Sequence, residues 1–134
     1  MLPRDRRVRR PEEFRHIRRT GSRAGRTAVV VSVASDTAPA RSSASSRTRQ
    51  PRAGFVVSKT VGNAVVRNRV TRRLRAILRE ELESDALRGR PLLVQVRALP
   101  PAAEADHATL RRETVGALAK ALRPHLPAVP RDEA

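Results

Sequence analysis

Apolar residues recur at intervals of three and four in the middle of this chain, and a pattern of this kind leaves few choices of local structure. The run follows Gly62 and Asn63, which form a turn, and Asn63 is a suitable helix N-cap. This spacing predicts a helix that buries one side and ends near Leu82. The apolar stripe comprises Val66, Val70, Leu74, Ile77 and Leu78.

The other sides of this predicted helix are strongly basic, because at about 100° per residue six arginines fall opposite the stripe or beside it. They are Arg67, Arg69, Arg72, Arg73, Arg75 and Arg79. Residues 37–79 contain no Asp or Glu, whereas they contain eleven Arg or Lys. A solvated helix face usually carries acids one turn away from its bases. This face is therefore expected to lie against a polyanion.

The whole chain repeats the imbalance, since its 134 residues carry a net charge of +16 with 27 Arg and two Lys. Nucleic acid is the polyanion that this charge favours, and an anionic membrane and a merely solvated surface are the alternatives. The longest apolar run, "AVVVSVA", is too short to span a membrane. With no Cys for disulfides or thiolate metal sites, the sequence indicates a soluble, cytoplasmic protein.

Two further helices and three strands are predicted. Pro11 begins a first helix that Gly21 ends, and Asp106 caps a last helix that Pro124 stops. The β-branched segments that predict strands are 26–33, 53–59 and 91–98. This order of elements predicts an α+β fold in which helices cover a small sheet.

The predicted domain, residues 11–123, is flanked and interrupted by segments without apolar periodicity. Residues 1–10 are too charged to pack and are expected to form a mobile basic arm. Residues 35–52 predict a flexible Ser- and Arg-rich loop, and residues 124–134 predict a disordered tail.

Catalytic residues are not expected in this chain. His16, His107 and His125 have no Cys partner or nucleophile motif, so surface positions explain them. The carboxylates cluster at helix ends, where they offset the helix dipole, and are not paired as a metal-dependent nuclease requires. With catalysis disfavoured, the function that the residues support is binding of nucleic acid. Arg suits this function because a guanidinium pairs with phosphate and stacks on bases. Only two aromatic residues are present, which disfavours binding through stacked rings.

One long segment resembles the signature of the protein subunit of bacterial ribonuclease P. It is "GFVVSKTVGNAVVRNRVTRRLR", residues 54–75, with Arg67, Asn68 and Arg69 at its core. "PEEFRHIRRTG" is similar to the first helix of that family, "PLLVQVRALPPAAEA" to its last strand and turn, and "ATLRRETVGALAKAL" to its final helix. The resemblance covers residues 8–123, apart from most of the 35–52 loop.

The resemblance implies a small mixed sheet of about four strands packed with three helices, in the order α-β-β-β-α-β-α, similar to the second domain of a small-subunit ribosomal protein. It also implies that the arginine-rich helix joins strands 53–59 and 91–98 in a left-handed crossover. Such crossovers are right-handed in about 98% of cases, so periodicity alone would predict the opposite hand.

In this family a large RNA carries the active site and uses Mg²⁺, and the protein assists endonucleolytic removal of the 5′ leader from precursor tRNA. The resemblance therefore implies an accessory subunit with two partners, the catalytic RNA and precursor tRNA, and with no cofactor, membrane or protein partner of its own. Residues matched to the RNA contact are Arg67, Asn68, Arg69, Arg72, Arg73 and Arg75. Residues matched to the leader contact are Phe14, Arg18, Val31, Phe55 and Lys59. Whether Asn63 or Asn68 touches a metal ion stays open.

The sequence also departs from the family pattern. Arg18 stands where relatives often carry a second aromatic, an aromatic is common near Val31, and Thr60 and Thr71 stand where Lys is frequent. We therefore expect leader contacts that depend on charge more than on stacking, with Arg18 able to stack its guanidinium on a base. Two alternatives remain: a ribosomal or nucleoid protein that only coats nucleic acid, and a nuclease in its own right.

Overall fold

Four strands form one mixed sheet in the computed structural model, which describes residues 2–36 and 50–126. The helices are α1 (Pro11–Thr20), α2 (Ala64–Leu82) and α3 (His107–Leu122). The strands are β1 (Ser22–Gly25), β2 (Val29–Ser35), β3 (Arg52–Val56) and β4 (Leu92–Ala98). Short 3-10 helices occupy Arg4–Arg6, Pro100–Ala103 and Arg123–His125. The α+β class and the predicted order of elements are confirmed.

The strand order in the sheet is β1-β2-β4-β3, with β4 antiparallel to β2 and parallel to β3. Parallel neighbours need a long connection, and here α2 supplies it. The arginine-rich helix is thus the crossover between β3 and β4, as the resemblance implies. The left hand of that crossover stays a prediction.

The main core lies between one face of the sheet and helices α2 and α3, because alternate residues of a strand point to the same side. Val70, Leu74, Ile77 and Leu78 of the predicted α2 stripe are buried, and Val66 packs against the same core. The six residues predicted to form the core side of α3 are all buried, as predicted; they are Leu110, Thr114, Ala117, Leu118, Ala121 and Leu122.

Helix α1 packs on the opposite face of the sheet. Ile17 is fully buried there against Ala34 of β2 and Leu93 of β4, and Val8 completes this smaller cluster. Phe14 packs at its edge. The sheet therefore has a fully covered face under α2 and α3 and a second face that α1 covers only in part.

The prediction that residues 1–10 are too charged to pack is wrong for this segment. Leu2 is 1% exposed and lies in the main core, and Val8 is 5% exposed. The amide of Val8 donates a hydrogen bond of 2.8 Å to the carbonyl of Ala53, and Arg7 forms an isolated parallel bridge with Ala53. Two apolar side chains and the free edge of β3 are enough to hold a basic segment in place.

Several predicted boundaries shift. The strand predicted at 26–33 begins at Val29, because residues 26–28 form the turn from β1, closed by a 2.7 Å hydrogen bond from Arg26 N to Val29 O. The strand predicted at 53–59 ends at Val56, since a turn follows it. Most of the predicted 35–52 loop, and the tail from residue 127, lie outside the described residues.

Candidate nucleic-acid interface

The basic side of α2 points away from the sheet and begins at a well-defined helix start. The side chain of Asn63 accepts a hydrogen bond of 2.9 Å from the amide of Val66, so Asn63 is the predicted N-cap. Asn68 and Arg72 are exposed along the helix, and the other predicted arginines are half-buried; they are Arg67, Arg69, Arg73 and Arg75. We call these six residues the arginine face.

Three of these arginines are held by main-chain carbonyl groups of the protein. The Arg67 side chain donates to the carbonyl of Gly62 at 3.2 Å, just before α2. Arg73 donates to the carbonyl of Ala105 at 3.0 Å, and Arg69 approaches that of Ala103 at 3.5 Å. Each guanidinium has five N–H donors, so these contacts orient the group and leave further donors for a partner.

The arginine face has no carboxylate partner within the described part of the chain. The ion pairs there join Arg6 to Glu83, Arg52 to Glu13 and Asp36, and Arg111 to Glu80. None of these pairs uses a residue of the arginine face. An uncompensated row of guanidinium groups, oriented by the backbone, is suited to a chain of phosphates.

Asp106 follows Ala105, whose carbonyl accepts the hydrogen bond from Arg73, and it lies at the start of α3. Hydrogen bonds from the backbone and side chain of Thr109 hold the pKa of Asp106 below its ordinary value, and the charges of Arg112 and Arg73 add to the shift. The carboxylate also caps α3, because it accepts from the amide of Thr109 at 2.7 Å. Asp106 therefore serves the start of α3 as predicted.

The residues matched to the leader contact do not form one surface. Val31 is fully buried in the main core, so the prediction that it contacts a leader directly is wrong. Phe55 packs toward that same core, whereas Phe14 lies on the α1 side of the sheet. Arg18 is exposed in the last turn of α1, and Lys59 is exposed in the turn after β3.

Phe14 occupies the space above Gly54, which faces α1 from β3. A Cβ atom added to Gly54 would lie 2.6 Å from Cζ of Phe14, closer than carbon atoms approach in proteins. A side chain at position 54 would thus displace the ring. Since Phe55 follows Gly54 in an extended strand, it must face the other way, and that alternation separates the two aromatic residues.

The part of the α1-side face that extends beyond Gly54 was missed from the sequence. Gln95 and Ser32 lie side by side in the register of β4 and β2 and are 4% and 5% exposed. The next pair, Arg97 and Val30, is half-buried, and Val56 of β3 lies on the other side of Arg97. We call the three half-buried residues, Val30, Val56 and Arg97, the open sheet face; Ser32 and Gln95 are buried beside it. Every second residue of β4, namely Leu93, Gln95 and Arg97, becomes more polar along the strand, and this pattern could have revealed the face.

Two of the three histidines, His16 and His125, have hydrogen-bonding partners within the protein. His16 Nε2 lies 2.8 Å from the carbonyl oxygen of Ser35, and His125 Nε2 lies 3.1 Å from the hydroxyl of Ser22. No group of three or more His, Cys, Asp or Glu residues in 2–36 and 50–126 is arranged to hold a metal ion. The suggested metal contact of Asn63 or Asn68 stays a prediction. No helix in those two segments is long and apolar enough to cross a membrane.

Sequence comparison relates the chain to proteins of one kind. A sequence model of the family described as Ribonuclease P matches residues 2–122. The ribonuclease P protein component of Micrococcus luteus is 70% identical over 128 residues, which cover 96% of each chain. That of Streptomyces avermitilis is 47% identical over 126 residues, covering 91% of this chain and 96% of its own.

Solved structures of more distant proteins share the fold. The RNase P protein of Staphylococcus aureus superposes with a TM-score of 0.70 at 23% identity, covering 87% of this chain and 94% of its own. The protein from Thermotoga maritima gives a TM-score of 0.63 at 21% identity, covering 82% and 92%. At these identities the likeness concerns the arrangement of helices and strands.

Proposed function

The chain belongs to the ribonuclease P protein family, and from that premise we propose that its two faces bind two different RNAs. The chain acts as the accessory subunit of a ribonucleoprotein endoribonuclease that matures the 5′ end of tRNA. In the proposal, the arginine face contacts the catalytic RNA, and the open sheet face with α1 contacts the 5′ leader of precursor tRNA.

The observation that carries the proposal is the uncompensated charge of the arginine face. Six arginines lie on α2, and those of the arginine face form no ion pair with a carboxylate of the described residues. Main-chain carbonyl groups already orient Arg67 and Arg73. A partner with regularly spaced phosphates would supply the missing negative charge without a large loss of side-chain entropy.

The leader site is proposed on the other side of the sheet because that side is only partly covered. Phe14 is half-buried above Gly54, and Arg18 is exposed in the last turn of α1. Half-buried Arg97 supplies positive charge on the same side of the sheet as the buried polar pair Ser32 and Gln95. Lys59 follows β3 at the margin of this surface. With a single aromatic residue, the site would hold the leader mainly through its phosphates and so with little dependence on base sequence.

The division of labour follows from the chemistry available to each partner. Within its described residues the chain offers no cluster of metal ligands, so the proposal assigns the catalytic Mg²⁺ to the RNA. The protein would strengthen substrate binding and shield the phosphates that crowd between leader and catalytic RNA, which lowers the Mg²⁺ concentration required. Because precursor tRNA is processed where it is transcribed, we place the protein in the bacterial cytoplasm.

Reconstitution with the cognate catalytic RNA tests this function. At low Mg²⁺, adding the protein should accelerate cleavage of precursor tRNA, whereas the protein incubated with RNA alone should cut nothing. A nucleic-acid-coating protein would bind the same RNA and leave its cleavage rate unchanged, which would overturn the proposal. Cleavage by the protein without the catalytic RNA would instead favour a nuclease in its own right.

A further inference from the structure

Val65 is the single large apolar side chain that is well exposed in residues 2–36 and 50–126, with 72% of its surface accessible. Isolated exposed apolar residues are common in soluble proteins and need no explanation by themselves. The position of Val65 is the informative part. At about 100° per residue, Val65 lies on the side of α2 opposite the buried stripe. The same side of the helix carries Asn68 and Arg69 one turn later and Arg72 two turns later.

The local backbone keeps Val65 pointing outward. Asn63 caps the helix, so Val65 is the second helical residue, and its neighbour Val66 takes the inward position against the core. Gly62 closes the turn beneath it, where an added Cβ would lie 2.9 Å from a methyl carbon of Val66. Because Val70 and Leu74 are buried on the opposite side of α2, a rotation that buried Val65 would expose them.

We propose that Val65 packs against a ribose or the face of a base in the catalytic RNA, which makes it an apolar contact at the N-terminal end of the arginine face. This inference rests on the function proposed above. An RNA strand held by its phosphates also presents apolar ribose carbons and base faces between them. The side chain of Val65 is stiff, since it is branched at Cβ, so ordering it in an interface loses little entropy. Its contribution should not depend on salt, because burial of apolar surface involves no counterion.

The test replaces Val65 with Thr, which has nearly the same shape and helix propensity but exchanges one methyl group for a hydroxyl. The affinity of the full-length protein for the catalytic RNA is measured over a range of salt concentrations. We expect Val65→Thr to weaken binding roughly fivefold, the effect of one buried methyl group, with an unchanged slope of log affinity against log salt. Val65→Ile, which keeps the apolar surface, should bind at least as tightly as the natural protein.

Ala108 provides a matched control, because it is the exposed second residue of α3, the other helix with a side-chain N-cap. Ala108→Thr introduces the same hydroxyl at the same helical position and should leave RNA affinity unchanged. Arg72→Gln, measured in the same assay, should make the salt slope less steep by about 0.7 to 0.9, the effect of one lost phosphate contact.

These variants separate the two hypotheses. If Arg72→Gln weakens binding and Val65→Thr does not, the arginine face binds RNA but the apolar contact is wrong. The same conclusion follows if Ala108→Thr weakens binding as much as Val65→Thr, or if Val65→Thr changes the salt slope. If none of the α2 variants changes RNA affinity, the proposed interface itself is wrong, whatever the role of Val65.

Discussion

Arginine has two different roles in two regions of this protein. Arg52 lies between α1 and the ends of β2 and β3, where one guanidinium nitrogen is 2.5 Å from a carboxylate oxygen of Glu13 and 3.2 Å from one of Asp36. Burial alone would lower the pKa of Arg52, but hydrogen bonds and charge from these two acids outweigh it and hold that pKa above its ordinary value. On α2, Arg72 is exposed, and no carboxylate of the described residues pairs with it.

These two arginines show that the placement of the acids, more than that of the arginines, divides the surface into structural and binding regions. Helix α1 has Glu12 and Glu13 in its first turn, and Glu13 reaches both Arg52 and the amides before the helix. The first turn of α2 has no acid. An arginine beside α1 therefore connects parts of the fold, whereas an arginine on α2 remains available to another molecule.

The largest expected effect comes from truncating two arginines of the binding region. Arg69→Ala combined with Arg72→Ala should weaken binding of the catalytic RNA by about 3 kcal/mol, since each lost charged hydrogen bond contributes roughly 1.5 kcal/mol. Equilibrium binding at fixed salt measures the change. Arg111→Ala is the matched control, because Arg111 is paired with Glu80 on the protein. Equal losses for the control and the double variant would abolish the distinction between the two kinds of arginine.

The second effect concerns stability. Arg52→Ala leaves Glu13 and Asp36 without their shared cation, and we expect the free energy of unfolding to fall by about 2 kcal/mol. Urea denaturation measures this value, and Arg52→Lys, which keeps the charge, should lose less. RNA affinity of the folded variant should be unchanged. A variant with natural stability but weakened RNA binding would show that Arg52 belongs to the binding region.

A smaller effect is expected on the open sheet face. Arg97→Gln removes a positive charge that the structure leaves without an ion pair among the described residues. Preference for precursor over mature tRNA should fall by about 1 kcal/mol, the typical contribution of one solvated polar contact. Affinity for the catalytic RNA should not change, and Lys59→Gln and Phe14→Leu should behave in the same way. If all three variants kept the full preference for precursor over mature tRNA, the leader would not bind this face.

The smallest effect depends on pH and involves Asp106. Because its pKa is lowered on folding, Asp106 contributes stability that is complete above the ordinary pKa of 3.8 and is lost as pH falls through the lower folded value. Asp106→Asn keeps a capping oxygen that does not titrate. The difference in unfolding free energy between the natural protein and this variant should be constant near neutral pH. In acid, the natural protein should lose stability relative to the variant. A difference that stays constant down to acid pH would contradict the assigned shift.

Local sequence signals predicted the helices well. The spacing of Val70, Leu74 and Leu78 identified the buried side of α2, and the caps at Asn63 and Asp106 identified two helix starts. Each of these signals acts within one or two turns, so neighbouring residues contain all the information needed. The resemblance of residues 54–75 supplied the family in the same way, through a contiguous segment.

The candidate leader site was predicted poorly for a physical reason. Alternation along a strand tells which residues share a face, but not which face a distant helix will cover. Val31 was assigned to a binding surface and lies fully buried, whereas Arg97 was not considered and lies on the open sheet face. Val31 lies on the side of the sheet that α2 and α3 cover, whereas Arg97 lies on the side that α1 covers only in part. Each outcome therefore depends on the docking of helices that are distant in the chain.

Charge balance and apolar periodicity are read from neighbouring residues, so the sequence was sufficient to predict the α+β order of elements and one strongly basic helix. Tertiary structure alone decided which arginines pair internally, that Leu2 and Val8 pack, and that Phe14 and Phe55 lie on opposite sides of the sheet. Those features arise from contacts between segments far apart in the chain, and such contacts are settled only when the hydrophobic faces of the sheet and helices are buried together.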